Sequence, residues 1–262
     1  MTCRSLIVAM IAATSFVSHG TASTVQEEKG TGTKPPPLQP SAGDKDGFVS
    51  IFNGKDLEGW EGDARFWSVK EGVITGWSTE QNPCTSNTFL VWRKGRLEDF
   101  ELRLEFKMEG GNSGVQFRSK EAGRFEVEGY QADIEDGPSW TGGLYEEKGR
   151  GIMVRRGQEV SVNEAGELKV TQFADGAALQ RDSIKSRDWN RCTITARGDD
   201  IKIFVNGVLM SKFLDHPKHS TRSGILALQL HSGPPMKVQY RNLCLKDLGG
   251  DSSTADKKAP ES

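Results

Sequence analysis

Cysteine is scarce and poorly spaced for a framework of bridges. Of four in the chain, Cys3 sits near the start, and Cys84, Cys192 and Cys244 leave room for one intrachain disulfide at most. No C-x-x-C spacing exists, so a structural zinc site has no support. Basic excess is missing as well: 34 Lys and Arg stand against 36 Asp and Glu, a formal charge of −2, which gives no electrostatic grip on nucleic acid. No Gly-x-Gly-x-x-Gly follows a strand, which excludes a nicotinamide cofactor held by the Rossmann route. No segment longer than about ten residues sustains a helical period, and no apolar run approaches the roughly 20 residues of a membrane-spanning helix. The apolar share of 35% leaves out 30 glycines, and with them the chain reaches the ordinary globular range of about 45–50%. Thirty glycines and 10 prolines mean many turns, which favours short strands over long helices.

The ends of the chain read differently from its middle. Residues 1–22 carry one charge, Arg4, then the apolar stretch Leu6 to Ala13, then small and polar residues to Ala22. This is the pattern of a secretory signal peptide, which predicts an exported protein, secreted or periplasmic. A lipid anchor on Cys3 is disfavoured, because that residue precedes the apolar run instead of following it. Residues 23–46, with the run Pro35-Pro36-Pro37, have almost nothing apolar to bury and read as a flexible tether. Residues 249–262 read as a tail of like composition. Between them, 47–248 form one block without a composition break, which predicts a single domain.

Within that block, short runs of period-two alternation recur: Phe48 to Phe52, Phe66 to Val69, Gly72 to Trp77, Thr88 to Trp92, Phe100 to Met108, Gly114 to Arg118, Gly129 to Ile134, Cys192 to Arg197, Ile201 to Val205, Ile225 to His231 and Val238 to Leu245. Lys70-Glu71-Gly72 and Asn206-Gly207 supply residues that tolerate positive φ between such runs and predict hairpins. Eleven or so strands with no helix to cover a sheet must pack sheet on sheet. The expectation is an all-β fold, an antiparallel β-sandwich or jelly roll, with the first and last strands close in space.

Alternation also sorts the side chains. In Ile225 to His231, Leu226, Leu228 and Leu230 share one face, while Ala227, Gln229 and His231 share the other. Val115 and Phe117 point inward, and Gln116 and Arg118 outward. Tyr130, Ala132 and Ile134 alternate with Gln131 and Asp133. If these strands are neighbours, Gln116, Arg118, Gln131, Asp133, Gln229 and His231 make one polar floor. Outward faces of sandwich strands are polar in every soluble protein, so each of these residues alone is more often simply solvated. The set, however, is rich in Gln, Asp, Arg and His, not in the Lys, Glu and Thr of a solvated face. Trp140, Tyr145, Trp189 and the Gly-Pro stretches at 137–138 and 233–235 are candidate walls for a cleft that takes sugar rings.

Asn112-Ser-Gly-Val-Gln-Phe-Arg118, Glu128-Gly-Tyr-Gln-Ala-Asp-Ile134, Thr141-Gly-Gly-Leu-Tyr145, the Asp188-Trp-Asn190 turn before an Asn206-Gly207 hairpin, and Leu228-Gln-Leu-His231 with Val238 to Leu245 occur in this order. Together with Phe52-Asn-Gly-Lys-Asp-Leu-Glu-Gly-Trp60 at the start, they resemble the 3-keto-disaccharide hydrolase family of the concanavalin A-like lectin/glucanase superfamily. The resemblance runs from about Phe48 to Leu248. It implies a two-sheet sandwich whose concave face binds an oligosaccharide or glycoside, and hydrolysis of glycosides already oxidised at C3. A ketone at C3 acidifies the C2 proton, so a modest base can remove it; the enolate then expels the C1 substituent and water adds. From that chemistry Asp133 and His231 are the acid/base candidates, and Arg118 and Gln131 the oxyanion or sugar ligands. Asn112, Gln116, Trp140, Tyr145, Trp189 and Gln229 are the further substrate contacts. A separate oxidoreductase must supply the ketone.

Two other readings compete. A retaining glucanase of the same superfamily needs two carboxylates about 5 Å apart, and in Gln131-Ala-Asp133-Ile-Glu-Asp136 the residue at the nucleophile's place is Gln131, which cannot attack. A carbohydrate-binding module would use the same floor without turnover. Asp133, Glu135, Asp136 and His231 could converge on a metal ion, yet their spacing is not that of a dedicated site, so no metal or cofactor is expected. His216 and His219 belong to a surface turn by composition.

Overall fold

The computed structural model describes residues 46–249. The signal-peptide segment and nearly all of the tether and tail lie outside these residues. In chain order the strands are β1 (Val49–Ser50), β2 (Trp60–Glu61), β3 (Trp67–Lys70), β4 (Val73–Trp77), β5 (Thr88–Trp92), β6 (Phe100–Glu109), β7 (Asn112–Gly123), β8 (Glu126–Glu135), β9 (Leu144–Glu147), β10 (Gly151–Val154), β11 (Gln158–Val162) and β12 (Leu168–Gln172). After the single described helix α1 (Gly176–Ser183) come β13 (Asn190–Arg197), β14 (Asp200–Val205), β15 (Val208–Leu214), β16 (Ile225–Leu230) and β17 (Lys237–Asp247).

These strands form two sheets. The larger runs β12-β11-β15-β14-β13-β6-β17-β4-β3, with β1 on β17, and the smaller runs β10-β9-β8-β7-β16-β5-β2. The expected β-sandwich is therefore the fold. Sequence alternation sets its core: Phe100, Leu102, Leu104, Phe106 and Met108 of β6 and Ile194 of β13 are buried. They join one apolar cluster with Val115, Phe117, Leu226, Leu228 and Leu230 of the smaller sheet. The termini of the domain meet, since Val49 pairs with Leu245. The two expected hairpins form, with Glu71 and Gly72 at φ 51° and 78°, and Asn206 and Gly207 at 52° and 84°.

Several features depart from the sequence reading. Pairing is antiparallel except that β11 runs parallel to β15. The first strand shrinks to Val49–Ser50. Strands β9 to β12 and β15 were not apparent from alternation; all five residues of β12, an edge strand, are exposed. Helix α1 is too short for a periodic signal and starts at a capping aspartate, with Ala177 N donating to Asp175 Oδ1 at 2.8 Å. Cys84, Cys192 and Cys244 are not joined to one another in a disulfide, and burial pushes the Cys192 thiol up to about 12. Among the described residues no helix is long and apolar enough to cross a membrane.

Candidate active site

Strands β8, β7 and β16 are consecutive in the smaller sheet. Register then aligns the polar positions, with Gln116 opposite Gln131 and Ala227 opposite Gln116. Facing away from the main core, Gln116, Gln131 and Gln229 are nonetheless at most 2% exposed, and Asp133 is 8% exposed. A solvated face would not look like this. Buried amides must be hydrogen-bonded, and here they form a directed chain. Ser119 Oγ donates to Gln116 Oε1 at 2.7 Å, and Gln116 Nε2 donates to Gln131 Oε1 at 2.9 Å. Gln131 Nε2 donates to Asp133 Oδ1 at 2.9 Å and leans toward Gln229 Oε1 at 3.4 Å. Gln229 Nε2 in turn points to Glu147 Oε2 at 3.5 Å, while Asn87 Nδ2 donates to Glu147 Oε1 at 3.2 Å. Every donor in the chain runs toward one of two carboxylates.

Gln131 reaches across β7 because residue 114 is glycine: a Cβ there would stand 2.4 Å from Gln131 Cδ. The Glu147 contact also reports curvature. Strands β9 and β16 are separated by β8 and β7, about 14 Å on a flat sheet, so their side chains meet only because the sheet is concave on this side. Around β5, Phe89, Val91, Val127 and Ala227 form a small second apolar cluster. There the tip of the β7–β8 hairpin folds over β5, and Phe89 N donates to Phe125 O at 3.0 Å. Lys148, next to Glu147, pairs with Glu126 of that hairpin at 2.5 Å.

Burial raises the Asp133 carboxyl to about 7; the Gln131 amide opposes the rise, and the negative charges of Glu147 and Glu135 add to it. A carboxyl near neutrality is matched to proton transfer in either direction. Glu135 is otherwise engaged, its Oε2 accepting from Ser139 N at 2.8 Å and Trp140 N at 2.9 Å. It thereby fixes the loop that carries Trp140, whose ring also meets Arg155 at 5.2 Å. Tyr145 stands opposite Gln131 on β9 and shares its face. Asn112, opposite Glu135, has no side-chain hydrogen bond among the described residues and so keeps a free amide. His231 follows the last residue of β16, with Nδ1 2.6 Å from Ser232 O. A carbonyl only accepts, so Nδ1 carries a proton in this contact and Nε2 is the ring nitrogen left for another partner.

Two expected site residues lie elsewhere. Between Phe117 opposite Tyr130 and Lys120 opposite Glu128 the register shifts, so Arg118 and Ser119 together face Gly129 in a bulge. Arg118 sits at φ 47° and its side chain leaves the floor. Its guanidinium donates to Glu98 O, Gly198 O and Asp99 Oδ1 at 2.7, 2.8 and 3.0 Å, a buried clamp between the two sheets. Ser119 takes the floor position instead. Trp189 lies against the larger sheet, its ring 3.9 Å beneath Arg241, and walls no part of this site. Among the described residues no three His, Cys, Asp or Glu side chains converge to hold a metal ion; Asp136 instead accepts from Gly110 N and Arg187.

Glu147, Asn87 and Ser119 escaped the sequence reading. Glu147 ends a four-residue strand with one buried position, which leaves no alternation to read. Ser119 is brought in by the bulge, and Asn87 precedes β5.

Fold and site together define a β-sandwich whose smaller sheet carries a buried carboxyl, Asp133, and a half-buried one, Glu147, joined by a chain of buried amides. The chain belongs to the 3-keto-alpha-glucoside-1,2-lyase-like domain family, whose model matches residues 47–246. It is 30% identical over 88 residues to a 3-keto-disaccharide hydrolase of Bacteroides thetaiotaomicron, a match spanning 30% of this chain and 29% of that relative. Among solved structures, a putative glycosyl hydrolase from Parabacteroides distasonis is similar at TM-score 0.54 and 20% identity over 81% of this chain and 99% of its own. A second from the same organism is similar at TM-score 0.51 and 21% identity over 77% and 99%. At these identities the structural likeness concerns the fold.

Proposed function

We propose that this protein cleaves glycosides whose hexose already carries a ketone at C3. Asp133 carries the reading: a buried carboxyl raised to about 7 at the end of a fixed amide chain. Ionised Asp133 takes the C2 proton, and the C–H electron pair forms the enolate of C2 and C3. The enolate re-forms the carbonyl and breaks the bond from C1 to the glycosidic oxygen, which leaves with a proton as the alcohol. Water then adds its hydroxyl to C1 and its proton to C2, so the net change is hydrolysis. The free amide of Asn112 can donate to the developing C3 oxyanion in place of Arg118. His231, presenting Nε2, accepts or returns a proton at the edge of the floor. Family membership and the name of the Bacteroides relative support the substrate class. A separate oxidoreductase supplies the ketone, and the reaction takes place after export.

One observation favours a second reading. Glu147 brings the second carboxylate that the β8 sequence lacks, and two carboxylates across a sugar are the equipment of direct glycoside hydrolysis. The test is to incubate the protein with a 3-keto disaccharide and with its unoxidised parent and to follow sugar release by chromatography. Release from the 3-keto sugar alone is expected. Comparable release from both would transfer the assignment to the direct mechanism, and binding without release from either would make the domain a binding module.

A further inference from the structure

Beside the floor lies a cleft of about 600 Å³ that the mechanism above does not use. Its walls are the loop after β2, the segment before β5 and the tip of the β7–β8 hairpin, including Asp63, Arg65, Thr85, Ser86, Arg124 and Phe125. The volume lies within the range of about 300–1,000 Å³ typical of ligand pockets, more than one small alkyl group would fill. Asn87 belongs to both places. It lines the cleft, donates to Glu147 Oε1 and accepts from Ser232 N at 2.9 Å. Asn87 therefore places the cleft next to Glu147.

The lining matches a hydroxyl-rich group. Thr85 and Ser86 supply hydroxyls, and Asp63 is held by Arg65 through both carboxylate oxygens at 2.9 and 3.0 Å from Nε, a planar pair with peripheral donors and acceptors left over. Arg124 rests over the Phe125 ring at 5.2 Å and forms no salt bridge among the described residues, while its charge helps lower the Asp63 carboxyl. A ring face and a guanidinium side by side are suited to stacking on and hydrogen bonding to a sugar.

We propose that this cleft, built from the Asp63–Arg65 pair, Thr85, Ser86 and Arg124 beside Asn87, is the subsite for the group that leaves C1, and that its occupant is a second sugar. The assignment rests on the 3-keto-glycoside reading. Its test compares a 3-keto disaccharide with the methyl 3-keto-glucoside, whose leaving group is too small to reach the cleft, in the wild type and in Arg124→Ala and Thr85→Trp. Both substituted positions are exposed, so the variants should fold. The expected result is a drop in kcat/KM of tenfold or more on the disaccharide, chiefly through KM, with a change of at most twofold on the methyl glycoside. If the wild type turns over both glycosides and the variants affect both alike or neither, the subsite is overturned while the chemistry stands. If the wild type turns over neither, the 3-keto reading fails and the subsite falls with it.

Discussion

Replacing Asp133 by asparagine should make the protein more stable and inactive at once. In the fold the Asp133 carboxyl sits near 7 against an ordinary value of 3.8. A group raised in the folded state contributes stability that is fully present below its unfolded value and is lost as pH rises through its folded value. At pH 8 the buried ionised carboxylate therefore opposes folding. Three units at about 1.4 kcal/mol each set an upper bound of about 4 kcal/mol. Asparagine has the same shape, keeps an oxygen for Gln131 Nε2 and turns an NH₂ toward the field of Glu147 and Glu135. Relaxation of the wild-type site reduces the gain, and about 1–2 kcal/mol at pH 8 is the expectation, or about 2–8 °C in Tm for a domain of this size. The gain should shrink as pH falls from 8 to 4. The assay is thermal or denaturant unfolding of both proteins across that range. A variant less stable than wild type at pH 8, or a difference that does not vary with pH, would refute the claim that Asp133 is a strained, buried acid.

Three further substitutions separate the clamp, the amide chain and the second carboxylate. Arg118→Ala should destabilise by about 3 kcal/mol or more, because it strips a buried guanidinium from two carbonyls and Asp99; denaturant melts read this, and an unaltered midpoint would put the side chain back on the surface. Gly114→Ala should lower kcat by tenfold or more, since its methyl would occupy the space of Gln131; unaltered turnover would show that Gln131 need not lie across β7. Glu147→Gln removes a negative charge that raises Asp133, so the acid limb of the kcat/KM profile should move to lower pH. A limb that stays in place or moves upward would disconnect the two carboxylates.

Much of the architecture was legible because alternation is a direct consequence of burying one face of a strand. β6, with Phe100 to Met108 inward, and β16, with its three leucines inward, read without ambiguity. The floor residues Gln116, Gln131, Asp133 and Gln229 followed from the same rule. Arg118 did not, because a single bulge resets the alternation and nothing local in Phe117-Arg-Ser119 announces it. Trp189 was misjudged for a different reason: an aromatic in a turn carries no sign of which sheet it will serve. Glu147 belongs to a strand too short to have a period, and it reaches the site through sheet curvature, a property of many strands together. The depth of the floor was also hidden, since the hairpin that folds onto β5 is apparent only once both sheets are in place.

The most direct test of the account follows the C2 hydrogen of the substrate. With a 3-keto disaccharide carrying deuterium at C2, the account predicts a primary isotope effect on cleavage under single-turnover conditions, loss of the label to solvent, and loss of both turnover and exchange in Asp133→Asn. Cleavage that retains the C2 deuterium in the released sugar, or that proceeds at the same rate in Asp133→Asn, would contradict it.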